Sequence, residues 1–270
     1  MKNPQRPRRR RLKGLPFNRM IPNILTLLAL CAGMTAIRFA LEERWEHAML
    51  AILVAAILDA LDGRVARILK GTSKFGAELD SLADFLNFGV APALVLYLWT
   101  MKDAGRIGWV LSLLFSISCV LRLARFNTGV DEPNAPPWAY NFFAGVPAPA
   151  GGGLVLLPMM LSSSLGDGFF RQPWVTGIFM IIVAGLMVSR LPTFAFKKFK
   201  VPNPWILPSM LFVGLFAATL VSAPWTTLSV VLFIYLASIP ISVRAYRSLE
   251  RKAQALTEGT NGTDDDEQAD

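Results

Sequence analysis

Eight apolar runs dominate this chain, at roughly 21–41, 48–68, 77–100, 107–127, 144–165, 174–190, 205–222 and 225–246. About 20 apolar residues coiled as a helix cover the ~30 Å of hydrocarbon in a bilayer, where only helices and closed barrels satisfy their own backbone. The pattern therefore predicts an all-α fold: a polytopic transmembrane helical bundle of about eight spans. Short polar punctuation separates the runs, as at Asp103 to Arg106, Gly166 to Pro173 and Ala223-Pro224. With 53% hydrophobic and only 17% charged residues, the chain is far from a soluble balance.

The basic residues orient the bundle. With the N-terminus inside, the segments 1–20, 64–74, 122–143, 190–204 and 244 onward hold 22 of the 27 Lys and Arg, the segregation expected if both termini are cytoplasmic. The net charge of +8 is then matched to anionic membrane lipids, and no nucleic-acid partner is expected. Three regions follow: a basic cytoplasmic arm at 1–20, a transmembrane domain at 21–247, and a tail at 248–270. The tail ends in acid and is expected to be disordered from Thr257 onward. The first apolar run is too long for a signal peptide and is expected to remain as a span. Cys31 and Cys119 both fall within apolar runs and are expected to be small buried side chains.

Ionisable residues inside a bilayer are expensive and so mark function. Asp59 and Asp62, three apart on the second span, share one helical face; Asp80 and Asp84, four apart near the start of the third, share another. Because the second span runs inward and the third returns, all four converge toward the cytoplasmic side. Four carboxylates there need cations, either the bases Arg64, Arg67 and Lys70 or metal ions. Two hard divalent ions, Mg²⁺ or Mn²⁺, suit an all-oxygen set. The only histidine, His47, falls in an expected outer loop and excludes an imidazole site. Between the acids, Gly63 and Ala66 leave a smooth notch, Arg67 offers a fork of donors to a phosphate, and Lys70-Gly71-Thr72-Ser73-Lys74 adds hydroxyls and charge before Gly76 opens the next helix. Together these describe a nucleotide diphosphate site. Intramembrane acids also mark cation transporters, but those commonly repeat them in both halves, and here the last four spans carry none.

Residues 59–84, DALDGRVARILKGTSKFGAELDSLAD, resemble without exception the signature DxxDGxxAR(x8)GxxxDxxxD of the CDP-alcohol phosphatidyltransferase family. The resemblance implies that Asp59, Asp62 and Asp80 bind two divalent cations, and that Asp84 is both a ligand and the general base. It also implies CDP-diacylglycerol contacts at Gly63, Arg67 and Ser73, small positions at Ala66 and Gly76, and a homodimer in the inner (cytoplasmic) membrane. Pro22-Asn23-Ile24-Leu25-Thr26 resembles the family segment that borders the nucleotide, which adds Asn23 and Thr26.

The signature is silent on the acceptor alcohol. Arg122 to Asn127, Gly145 to Ala150 and Ser189 to Thr193 resemble the bacterial membrane-integral branch whose acceptor is L-serine. Arg122 and Arg125, three apart at a helix end, with Asn127, form the candidate serine site. An arginine pair would equally hold the phosphate of glycerol 3-phosphate, and both arginines also fit a membrane-anchoring role, so charge leaves these alternatives open.

Overall fold

The structure, a computed structural model, describes residues 17–69, 73–129, 142–194 and 205–267. Most of the basic arm, the expected phosphate-loop residues Lys70, Gly71 and Thr72, and the Phe and Lys residues after Phe194 lie outside the described residues.

Two long helices open the fold, α1 (Phe17–Leu41) and α2 (Trp45–Ile68), and they pack as a hairpin. The buried residues of α1 are Pro22, Thr26, Ala29, Gly33, Ala36 and Ala40, at alternating spacings of four and three. That is a seam of small side chains, the means by which helices approach closely when lipid removes the hydrophobic drive to associate. Ile24, Leu27, Leu28 and Met34 face outward and are exposed. On α2 the buried positions Ala48, Ile52 and Ala55 continue at the same spacing into Asp59 and Asp62. The two acids thus occupy seam positions of an otherwise apolar interface, and Asp62 is only 3% exposed.

The expected third span is helical from Lys74 to Trp99 but is not one regular helix. It divides into α3 (Lys74–Asp84), a π-helical segment (Phe85–Val90) and α4 (Ala91–Trp99). The amide of Ala91 donates to Leu86, five residues back. Pro92 lies in the first turn of α4, where a missing N–H is tolerated. The wider turn rotates the acid-bearing face of α3 away from the buried face of α4. A 3₁₀ turn (Met101–Ala104) leads into α5 (Gly105–Thr128), whose Cys119 packs against Gly89 of the π segment. Cys119 is buried as expected, whereas Cys31 is on the exposed face of α1.

The second half comprises α6 (Ala148–Val155), α7 (Leu157–Leu165), α8 (Asp167–Phe170), α9 (Pro173–Val188), α10 (Ile206–Ser222) and α11 (Pro224–Glu267). The expected fifth run is split at Leu156, one residue ahead of α7 and its first-turn Pro158. Two strands depart from a purely helical expectation: β1 (Phe142–Ala144) pairs antiparallel with β2 (Pro192–Phe194), Phe142 opposite Phe194. Helix α11 continues to Glu267, into the segment where composition suggests a solvated tail. The core lies where α4, α5, α6, α7 and α9 meet, around Phe88, Leu96, Phe115, Leu154 and Met180.

Among the described residues, five helical stretches are long and apolar enough to cross a membrane: Met20–Leu41, Lys74–Trp99, Met101–Thr128, Ala148–Leu165 and Pro224–Ala253. Helix α2 has the length, 24 residues, but carries the acids; α9 and α10 are apolar and shorter. Every expected apolar run is helical, and α10 buries none of its residues, as suits a surface facing lipid. This is a multi-pass membrane protein.

Gly108 sets how closely α5 approaches the preceding turn. A Cβ there would collide with the Met101 carbonyl oxygen and lie 2.8 Å from its carbonyl carbon, and backbone cannot swing aside. Gly108→Ala should therefore lower stability by about 1–3 kcal/mol, read as a reduced thermal midpoint of the detergent-solubilised protein; an unchanged midpoint would contradict this packing.

Candidate active site

The α1 seam delivers Thr26 to Asp62. Its Oγ1 donates to Asp62 Oδ2 at 2.5 Å and lies 3.1 Å from the Pro22 carbonyl, which competes for the same proton. Asp59, Asp62 and Asp80 each present a carboxylate oxygen, and these oxygens lie within 4.8 Å of one another. Asp84, one turn beyond Asp80, stands outside this triad and faces Asp59. Its Oδ1 is buried without a hydrogen-bond partner.

Among the described residues none of the four acids is ion-paired; the salt bridges there join Arg38 and Arg44 to Glu42. The expected alternative of a basic clamp is not made by the described arginines. Arg67 folds back along α2, its Nε donating to the Gly63 carbonyl at 3.0 Å. Three clustered carboxylates and a fourth with an orphaned oxygen, with no ion pair to any of them among the described residues, make a poor structure on their own. The donor set is oxygen alone, so the residues fit divalent cations of the hard class.

Beside the triad lies a cleft of roughly 200 Å³, lined by Asn23, Thr26, Gly63, Ala66, Ser73 and Gly76 as well as Pro22, Ala77, Asp62 and Asp80. Six of the seven residues expected to contact nucleotide therefore share one wall; Arg67 does not line it. Ser73 caps α3, its Oγ accepting from the Gly76 amide at 3.0 Å. A Cβ on Gly76 would meet Asn23 Oδ1 at 2.9 Å, so the α3 N-terminus is held tightly against α1. Gly63 differs: nothing lies within 4 Å of where its Cβ would stand. Helix packing does not require glycine there, and the open backbone leaves room for a ligand. The α3 N-terminus adds a positive dipole end, which suits phosphate oxygens.

The three expected acceptor contacts have different surroundings. Arg122 is 8% exposed, with its guanidinium carbon 5.3 Å from the Phe126 ring centroid. Arg125 donates to the Val188 and Ser189 carbonyls at 2.6 and 3.2 Å, closing the C-terminus of α9. Asn127 donates to Ser81 Oγ at 2.8 Å and ties α5 to the helix bearing Asp80 and Asp84. Two residues outside the sequence expectation also bury polar groups, Tyr235 within electrostatic reach of Arg122 and Asn87 against Gly33 of α1. Tyr235 of α11 has a buried hydroxyl with no hydrogen-bond partner, and Asn87 of the π segment is fully buried with neither amide atom bonded. Each is a polar residue in an apolar run, a signal visible in sequence but weaker than a charge.

Comparison with known proteins converges on the same segments. The profile described as CDP-alcohol phosphatidyltransferase matches residues 19–189, and one described as CDP-alcohol phosphatidyltransferase 2 matches residues 204–240. A Mycobacterium leprae protein named CDP-diacylglycerol–serine O-phosphatidyltransferase is 42% identical over 250 residues, covering 93% of this chain and 82% of its own. Proteins of the same name from Mycobacterium tuberculosis and Helicobacter pylori are 41% and 36% identical, covering 90% and 82% of this chain and 84% and 91% of theirs.

The bond from Thr26 orients one carboxylate of the triad. Thr26→Val, nearly equal in volume, should weaken Mn²⁺ binding by about 10- to 100-fold, as loss of a supporting hydrogen bond does, measured by titrating the purified protein; unchanged affinity would remove Thr26 from the site.

Proposed function

The chain belongs to the CDP-alcohol phosphatidyltransferase family, and from that premise we propose that it transfers the phosphatidyl group of CDP-diacylglycerol to the hydroxyl of L-serine, giving phosphatidylserine and CMP. The observation that carries the reading is the carboxylate triad opening onto a cleft whose one unexplained glycine, Gly63, leaves backbone bare beside it. The names of the relatives support serine as acceptor.

Asp59, Asp62, Asp80 and Asp84 would hold two divalent cations, Mg²⁺ or Mn²⁺, which when bound neutralise charge on the phosphoryl oxygens and the departing phosphate. The chain's own groups do the rest. Asn23, Thr26, Gly63, Ala66, Ser73 and Gly76 form the nucleotide wall, and Arg67 at its edge meets phosphate by swinging off the Gly63 carbonyl. Asp84 takes the proton from the serine hydroxyl as that oxygen bonds to the lipid-side phosphorus. The bond from phosphorus to the CMP oxygen breaks, and CMP leaves with the electron pair. Arg122, Arg125 and Asn127 frame the acceptor side. The lipid enters sideways from the inner leaflet of the cytoplasmic membrane, with the site facing the cytoplasm. Eight spans with both termini inside follow from the segregation of basic residues, and the protein acts as a homodimer.

Asp84→Asn should abolish turnover while the variant still binds CDP-diacylglycerol, and excess chelator should stop the wild-type reaction. Wild-type rates in either case would end the corresponding assignment. Labelled serine and labelled glycerol 3-phosphate, offered separately to the purified protein with CDP-diacylglycerol, identify the acceptor; incorporation of glycerol 3-phosphate alone would replace serine.

A further inference from the structure

Arg122 of α5 stands within electrostatic reach of two buried groups from elements far from it and from each other in sequence, Asp84 of α3 and Tyr235 of α11. Arg122 of α5 is 8% exposed and makes no hydrogen bond or ion pair among the described residues. Tyr235 of α11 has its Oη shielded and unpartnered, beside Thr193 of β2 and within electrostatic reach of Arg122. Asp84 has its Oδ1 shielded and unpartnered, also within electrostatic reach of Arg122. A phenol oxygen and a carboxylate oxygen shielded without hydrogen-bond partners are costly in a packed interior, and the Arg122 charge reaches both. One small ligand carrying both an anionic head and a hydroxyl would satisfy all three.

The surrounding contacts narrow the roles further. Arg125 is committed to the carbonyls of Val188 and Ser189, and Asn127 to Ser81. Both hold helices in place. Thr193, 1% exposed, donates to the Gly145 carbonyl at 2.9 Å and ties β2, which packs against α11, to the residue that follows β1.

We infer that Tyr235 is a specificity residue for the acceptor: with Arg122 it binds the acceptor's carboxylate, Arg122 by charge and Tyr235 Oη by a donated hydrogen bond. Asp84 then faces the acceptor's hydroxyl, while Arg125 and Asn127 are positioning residues. The inference rests on serine being the acceptor.

Steady-state kinetics of the full-length protein in mixed micelles, with serine and with serinol, which lacks the carboxylate, tests it. Tyr235→Phe should raise the serine KM about tenfold, the scale on which a site loses discrimination with one polar contact, with kcat changed by less than about threefold. Mn²⁺-dependent CDP binding should be unchanged, and the preference for serine over serinol should fall by the same factor as KM rises. An unchanged serine KM overturns the inference, and so does parallel loss of CDP binding, which would place Tyr235 on the nucleotide side or in the fold. The wild-type protein provides an arm free of any folding question: equal KM for serine and serinol overturns it outright. If the wild type incorporates glycerol 3-phosphate and not serine, the proposed function has failed at its acceptor; if it incorporates serine and Tyr235→Phe is silent, only the assignment of Tyr235 has failed.

Discussion

The carboxylates of α2 and α3 are the constraint around which the rest of this molecule is arranged. A charge in a low-dielectric interior is held only by partners, and the described residues give these acids a threonine hydroxyl and one another, but no ion-paired base. The packing that brings them together is nonetheless close. The seam of α1 and the matching seam of α2 bring backbones near enough for a short threonine side chain to reach across 36 positions of sequence to Asp62. A seam of leucines would hold the helices farther apart, and Thr26 would no longer reach. Small residues therefore serve two purposes at once: they join the hairpin within lipid and set the reach of the supporting hydrogen bond.

The π segment answers a second demand of the same site. Helix α3 must turn Asp80 toward Asp59 and Asp62, while α4 must bury Ala91, Val95 and Leu96 in the core. A regular helix fixes the angle between those faces by sequence spacing alone. One wide turn resets it, and Gly89, packed on Cys119 with its carbonyl accepting from Ser116 Oγ at 3.2 Å, anchors that turn to α5. The acid-bearing end and the core-bearing end of one span can thus be oriented separately.

Much of this was legible in the chain, for identifiable reasons. Apolar runs announce helices in a membrane because lipid allows the backbone few other solutions, and every expected run is helical. The acids stand out because charge is rare in such runs, and the small residues around them predicted a wall that six of seven nucleotide candidates line. What escaped depends on contacts without local periodicity. The strands β1 and β2 have three residues each, too few for an alternating pattern, and their pairing joins positions about fifty apart. Arg125 and Asn127 carry the right chemistry for a ligand, and the bonds they also make, to backbone carbonyls and to Ser81, only the fold reveals. Arg67 likewise has a phosphate-binding side chain, here turned back on its own helix.

The two sides of the site are built from different ranges of sequence. The proposed nucleotide side comes from α1, α2 and α3, consecutive elements joined by short connections, so a compact motif can specify it almost completely. The proposed acceptor side draws Arg122 from α5 and Tyr235 from α11, and the elements around it are held by bonds such as Arg125 to Val188 and Thr193 to Gly145. No described hydrogen bond of the triad passes through α11 or β2, so a change at Tyr235 leaves those bonds in place. This separation gives a physical reason why a shared signature can fix the phosphoryl chemistry while the choice of alcohol varies independently. The place to look for that choice is the wall formed by the last helix.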